Sequence, residues 1–458
     1  MSIDRRALLA RVGSGFGAMA LADWMHAEDP FAPKPPHFAP KAKRIIYMIM
    51  NGGMSQVDTF DPKPSLTKYH GQKMPGEQPK TERITGSLMR SPFEFKKSGQ
   101  SGIEVSEIFP NIARNIDKFT VIRSMHTDVP NHEPSLFMMN CGAIQPGRPS
   151  LGSWLTYGLG TANRNLPGYI VLCPGTPVVG PPLWESAFLP AVYQGTFVKA
   201  QEKDPRKSVQ FLDRDGRPET AQRKQLDLLR ALNEKHREAR QGDSDLDAAI
   251  QSMETAFRMQ TEVPEVFDIA KESEKTRARY GDSDFGRSCL MALRLVEKGV
   301  RMVQLYYGNS QPWDSHEDIQ AHRANARRAD PAVGALVEDL EARGLLSETL
   351  VVFGTEFGRT PAVENSSLVK LQNGRDHNSA GYSILVAGGG VRGGYVHGAT
   401  DEFGYRAVDK RVHNHDLNAT LLHLMGVDHL KLTFKHLGVD MRLSGLEREA
   451  EIVKGVLA

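Results

Sequence analysis

Arg44-Ile45-Ile46-Tyr47-Met48-Ile49-Met50-Asn51-Gly52-Gly53 decides the fold class. The apolar run Ile45 to Met50 follows Lys43-Arg44 and stops at an Asn-Gly-Gly turn. A short continuous run without polar alternation reads as a strand buried on both faces. Similar runs recur at Val121-Ile122 and at residues 169–172, 302–307, 350–353 and 383–387, the last ending in Gly388-Gly389-Gly390. Helix-period patterns separate them. Leu290, Leu293 and Val296 share a stripe over 285–298; Val333, Leu336, Val337 and Leu340 do so over 332–343; Leu417, Leu421, Leu422 and Leu424 do so over 416–425, behind Asp416 as an acidic N-cap. Strands alternating with helices predict an α/β fold, a mostly parallel central sheet with helices on both faces.

The flanks of this core read differently. Asp4-Arg5-Arg6 precedes a mild apolar stretch from Val12 to Leu21, the pattern of a twin-arginine export signal with Ala20-Leu21-Ala22 as a small-residue cleavage site. That stretch is too short to span a bilayer, which needs ~20 apolar residues. Pro30, Pro33, Pro35, Pro36 and Pro40 mark an extended linker. Residues 1–42 are therefore expected to be signal and linker, and 43–458 one domain, periplasmic or otherwise exported. A charged, helix-favouring stretch at about 216–280, with Leu226, Leu228, Leu229 and Leu232 as its apolar stripe, is expected to be a helical insertion. A net charge of +2 on scattered basic residues excludes a nucleic-acid partner and predicts no stable membrane insertion after export. Cys141, Cys173 and Cys289 are odd in number and form no Cys-x-x-Cys pair, so they read as buried thiols.

Ligands of an open parallel sheet sit beyond the carboxyl ends of its strands. Polar residues gather there: Asn51, Ser55 and Asp58 after the first strand; His126, His132 and Ser135 after 121–122; Asp314, His316 and His322 after 302–307; Glu356 and Arg359 after 350–353. Arg375, Asp376 and His377 lie just before 383–387, and His413 and His415 open the last helix. Imidazole and carboxylate suit zinc, manganese or iron, and Asp314-x-His316 places two such side chains on one side of an extended segment. The predicted metal ligands are Asp314, His316, Glu356 and His377, with a divalent cofactor such as zinc, manganese or calcium. Arg359 and Arg375 have the fork that grips an anion, though Glu364 and Asp376 are alternative partners for them. Ser135 reads as a helix N-cap or a hydroxyl nucleophile.

Two stretches resemble the sulfatase and alkaline-phosphatase superfamily. His415-Asp416-Leu417-Asn418-Ala419-Thr420-Leu421-Leu422-His423-Leu424-Met425-Gly426 is similar to its Asp-Leu-x-x-Thr-Leu-Leu helix. Asn131-His132-Glu133-Pro134-Ser135 through Asn140-Cys141-Gly142 is similar to its nucleophile region. The whole chain resembles the bacterial family catalogued as domain of unknown function 1501, whose members begin with a twin-arginine signal. Gly53-Met54-Ser55, Trp313-Asp314-Ser315-His316, Thr355-Glu356-Phe357-Gly358-Arg359-Thr360-Pro361, Gly374-Arg375-Asp376-His377-Asn378 and Gly398-Ala399-Thr400-Asp401-Glu402 carry that resemblance.

The resemblance implies an alkaline-phosphatase-like three-layer sandwich and metal-dependent hydrolysis of a sulfate or phosphate ester, on a small molecule or a sulfated glycan. It also exposes departures. Asn51 stands where an Asp ligand is expected, His132 where the nucleophile is expected, and Phe357 replaces the His beside Glu356. One metal site is thus retained and the other degraded. On this reading His132, Arg375 and Arg359 are the catalytic residues, and Asn51, Ser55, Asp58 and Asp376 bind substrate. The alternatives are a non-catalytic glycan- or ligand-binding protein on a degenerate fold, and an assembly partner of another exported enzyme.

Overall fold

The computed structural model describes residues 31–76, 78–79, 81, 83–163, 165–209, 218, 220–221, 223–225, 227–228, 231, 257–260, 262–446 and 448–458. The export-signal expectation falls outside these residues, as do Leu226, Leu229 and Leu232 of the insertion stripe; Leu228 is exposed. The end of the insertion is described, and Val263, Val266 and Phe267 bury against the core.

Among the described residues, twelve strands build the central sheet and a small sheet beside it: β1 (Arg44–Ile49), β2 (Thr85–Leu88), β3 (Phe119–His126), β4 (Tyr169–Cys173), β5 (Thr196–Lys199), β6 (Met302–Tyr306), β7 (Thr349–Gly354), β8 (Gly358–Glu364), β9 (Arg375–Asn378), β10 (Tyr382–Ala387), β11 (Tyr395–His397) and β12 (Val412–His413). Nine form the central sheet in the order β11-β3-β10-β7-β1-β6-β4-β5, with β12 also paired to β3. Every expected strand is present, and the fold is the mixed α/β arrangement read from the sequence.

Residue alternation along β1 explains the layers. Ile46 and Met48 join Val303, Leu305, Val351 and Phe353 on one face. That face packs on helices α3 (Asp284–Glu297) and α4 (Ala321–Ala342). Ile45, Tyr47 and Ile49 join Met302, Leu350 and Val352 on the other. There they meet α1 (His132–Cys141), α2 (Leu151–Leu159) and α5 (Asn414–Leu424). Each buried aliphatic side chain contributes roughly 1.5–3 kcal/mol, so the two faces together hold the sheet between its helices.

One strand departs from the parallel expectation. β10 runs antiparallel to both its neighbours, β3 and β7. The remaining pairings in the sheet are parallel. Residues preceding β10 therefore sit at the same edge as residues following β1, β3, β6 and β7. The small sheet β9-β8-β2 lies there, with Arg359 of β8 in register with His377 of β9.

Four further expectations are corrected. The proline segment is docked rather than free: Lys34 N donates to Leu159 O and His37 N to Gly426 O, while Lys41 N and Ala42 N both reach Leu424 O. The helix expected at 332–343 begins at Ala321 and carries Pro331 inside it. Asp416 is not the N-cap of α5. His413 is, its Nδ1 accepting from His415 N, while Asp416 accepts from His413 N as the other half of a capping box. Ser135 is not a cap, because it lies within α1, whose N-cap is Asn131, and its hydroxyl donates to Val129 O at 2.5 Å. Cys141, Cys173 and Cys289 are free and buried, as expected.

Candidate metal centre

Asp314 is the hub of the strand edge. Its Oδ1 lies 2.9 Å from His316 Nε2, 3.2 Å from His377 Nε2, 3.3 Å from His132 Nε2 and 2.5 Å from Arg359 Nη2. His316 Nε2 and His377 Nε2 are themselves 3.0 Å apart. The four side chains arrive from three directions. Asp314 and His316 follow β6, His377 comes from β9 and His132 begins α1. Gly52 and Gly53 let the β1 turn reach this point: a Cβ on Gly52 (φ +120°) would lie 2.6 Å from Asp314 N, and one on Gly53 (φ +74°) 2.6 Å from the Phe357 ring.

Two imidazoles are held from behind by carboxylates. His132 Nδ1 is 2.7 Å from Glu356 Oε1, and His316 Nδ1 bonds Glu364 Oε2. Both carboxylates are fully buried. Burial opposes their ionisation, but the bonds from His132 and Gly52 N hold Glu356 below its usual range. Those from Ser366, Arg83 and His316 do the same for Glu364. Ionised carboxylates oblige both Nδ1 atoms to donate, so in the neutral rings each Nε2 offers a lone pair. These lone pairs point at an oxygen that is itself an acceptor. Such an arrangement requires a shared cation, either a proton or a metal ion.

The electrostatics agree. Burial opposes a charge on Asp314, but Arg359 and the three histidines hold its carboxyl far below the ordinary value. Burial also opposes a charge on His132, yet Asp314 and Glu356 outweigh it and raise its pKa. Desolvation lowers His377 to about 3, which keeps it neutral. The residues fit a metal ion. His132 Nε2 is buried without a well-directed hydrogen bond, and ligand atoms of His132, Asp314 and His377 lie within 4.8 Å of one another. Carboxylate–histidine pairs of this kind commonly orient metal ligands from behind. A second such group, His316, Asp376 and His377, overlaps the first.

Other predicted site residues serve the structure instead. Arg375 is fully buried, its Nε 2.7 Å and Nη2 3.2 Å from the Asp58 carboxylate, with Met89 O and Thr360 O also accepting. Ser55 Oγ donates to Asp58 at 2.5 Å, so Ser55 and Asp58 face inward rather than toward a substrate. Asn51 is buried and pins the loop after β6 through Gly308 O and Ser310 O. Arg359 is fully buried, bonding Gly52 O, Gly53 O and Arg375 O besides Asp314, so it is no open anion grip. Glu356 stands behind His132 and takes no place among the converging atoms. Asp376 is buried, accepting from His377 N and Arg83 N. Phe357 packs its ring 4.7 Å from those of both His132 and His377, an apolar wall where a ligand was looked for.

His322 is not a ligand either: its Nε2 accepts from Ser55 N at 3.0 Å and its Nδ1 meets Ser315 Oγ at 3.1 Å. His413 and His415 are buried. His413 Nδ1 caps α5, which leaves its Nε2 to face Asp128 at 3.2 Å. Sequence reasoning missed Arg83, and it gave Glu364 only as an arginine partner. Strict alternation along β8 would put Glu364 opposite Arg359, but the register of β8 shifts between Arg359 and Glu364, and nothing in the local sequence marks Glu364 as reaching the site.

These buried histidines carry a pH consequence. Desolvation lowers His126 and His322 to about 3 and His415 to about 4, from 6.5. Between those values the unfolded chain binds protons that the folded one refuses, so stability falls as pH drops below about 6.5. The urea midpoint is expected to fall steadily from pH 7.5 to pH 5. A constant midpoint would mean that these rings charge freely in the fold.

No helix among the described residues is long and apolar enough to cross a membrane. No curated protein matches the chain. Among solved structures it is similar to the PsFucS1 sulfatase from Pseudoalteromonas sp. (14% identity, 91% of this chain and 72% of that one, TM-score 0.38). It is also similar to an alkaline phosphatase superfamily protein from Vibrio parahaemolyticus (11%, 87% and 70%, TM-score 0.31) and to the phosphonate monoester hydrolase SpPMH from Silicibacter pomeroyi (13%, 69% and 68%, TM-score 0.30). Likeness at this level says nothing about the reaction. The family described as protein of unknown function (DUF1501) matches residues 42–457, nearly the whole chain, and the protein belongs to that family.

Proposed function

We propose that the chain is an exported, metal-dependent hydrolase of an anionic ester, sulfate or phosphate, carried by a small molecule or a glycan. The observation that carries this reading is the convergence of three imidazole Nε2 atoms on Asp314, two of them fixed from behind by Glu356 and Glu364. His132, His316, His377 and Asp314 would hold the ion. This gives His132 a ligand role in place of the expected nucleophile. A nitrogen-rich set favours zinc, manganese or iron over calcium, which takes oxygen ligands. When bound, the metal supplies Lewis acidity toward an ester oxygen and activates water.

The chain's own residues position and insulate the centre. Glu356 and Glu364 fix the imidazole tautomers, Arg359 neutralises Asp314, and Phe357 excludes water from one side. The hydroxyls of Ser135, Ser55 and Ser315 are engaged elsewhere, which favours direct attack by water over a covalent intermediate. Asp314 keeps 22% of its side chain exposed, so the centre opens to solvent. A second reading, a ligand-binding protein without turnover, draws on the internal pairing of Arg359 and Arg375.

Metal content of the purified protein, followed by hydrolysis of aryl sulfates and aryl phosphates, tests the proposal. Glu364→Gln is expected to weaken metal binding about 10–100-fold while the fold persists. A metal-loaded wild type inert toward both ester classes would favour the binding reading, and a folded protein that takes up no divalent ion would end the metal-dependent hydrolase reading.

A further inference from the structure

With Arg359 and Arg375 buried and paired, a different cation must meet an anionic group at the centre. Arg83 has the required position. Its segment is pinned on both sides, Arg83 N donating to Asp376 Oδ2 at 3.2 Å and Asn365 N to Ile84 O at 2.8 Å. The guanidinium is one-third exposed and spends Nη1 on Glu364 Oε1 at 2.9 Å, the carboxylate whose other oxygen holds His316. Among the described residues no group accepts from its Nε or Nη2. It lies within electrostatic reach of Asp314 itself.

We propose that Arg83 binds the oxyanion of the substrate, its free Nε and Nη2 donating to a tetrahedral sulfate or phosphate group at the mouth of the centre. The inference rests on the hydrolase reading and names the group that would orient its ester. A guanidinium fork suits two oxygens of one oxyanion, and such charge-assisted pairs are about twice as strong as neutral ones. The ion pair with Glu364 aims the fork while leaving most of its donors for a ligand. A purely supporting role would need only the one bond to Glu364.

The test is calorimetric titration of inorganic sulfate and of inorganic phosphate, with acetate as the planar control. The proteins are the wild type, Arg83→Gln and Arg83→Lys, each with and without added zinc or manganese. The expected result is weaker binding of the tetrahedral anion by about tenfold or more in Arg83→Gln, partial retention in Arg83→Lys, and unchanged metal content in all three. Equal anion affinity in wild type and Arg83→Gln overturns the inference, as does no anion binding by the wild type. Loss of metal from Arg83→Gln also overturns it, by making Arg83 a support for Glu364. Wild type that takes up no metal yet binds anion through Arg83 would keep this inference and end the metal reading.

Discussion

Arg375→Met is expected to lower the unfolding free energy by about 3–5 kcal/mol, the range for breaking a buried ion pair from one side. The reason is Asp58, which is fully buried and fully ionised beside Arg375. Burial opposes its charge, but Arg375 and the Ser55 hydroxyl hold its carboxyl below the usual range. Without the guanidinium a buried charge is left with, among the described residues, only the Ser55 hydroxyl to bond. The double variant Asp58→Asn/Arg375→Met should recover much of the loss, since removing both partners of a buried pair often costs little. Chemical denaturation measures both. A single variant as stable as the wild type, but altered in substrate affinity, would restore Arg375 to the anion-binding role that its sequence context suggests.

His377→Ala is expected to weaken metal binding by more than about a hundredfold, beyond the range for residues that merely support a ligand. The loss should come without unfolding, because the ring is held mainly by its neighbours at the centre and its Nδ1 has no partner. Equilibrium dialysis against zinc or manganese checks it. His322→Ala is the contrasting case. It removes a more deeply buried imidazole at the same edge, one that bonds Ser55 N and Ser315 Oγ, so it should cost stability and leave metal stoichiometry unchanged.

Much of this was legible in the sequence for a simple reason. Runs such as Ile45–Met50 are apolar on both faces only where both faces are covered, so a buried sheet with helices over it follows from these runs and the helix-period stripes between them. That Asp314, His316 and His377 meet was also legible, because polar residues at the ends of neighbouring strands share one edge of the sheet. What was not legible is pairing across the fold. Asp58 and Arg375 stand 317 positions apart, and no local pattern says that this arginine turns inward while Arg83 stays at the rim. The antiparallel run of β10 was hidden for the same reason. Strand direction leaves no mark on a short apolar run, yet it is what brings His377, which precedes β10, beside Asp314, which follows β6. His132 looked like a nucleophile because of where it falls in the chain; the carboxylate behind its Nδ1 suits it instead to the ligand role proposed above.

The central claim is that His132, His316, His377 and Asp314 share one bound metal ion. X-ray absorption on metal-loaded protein, collected at the edge of the bound ion, tests this most directly. The account predicts about three imidazole nitrogens and at least one carboxylate oxygen around the ion, with an imidazole lost in His377→Ala. An all-oxygen shell, or a spectrum unchanged by His377→Ala, would contradict it.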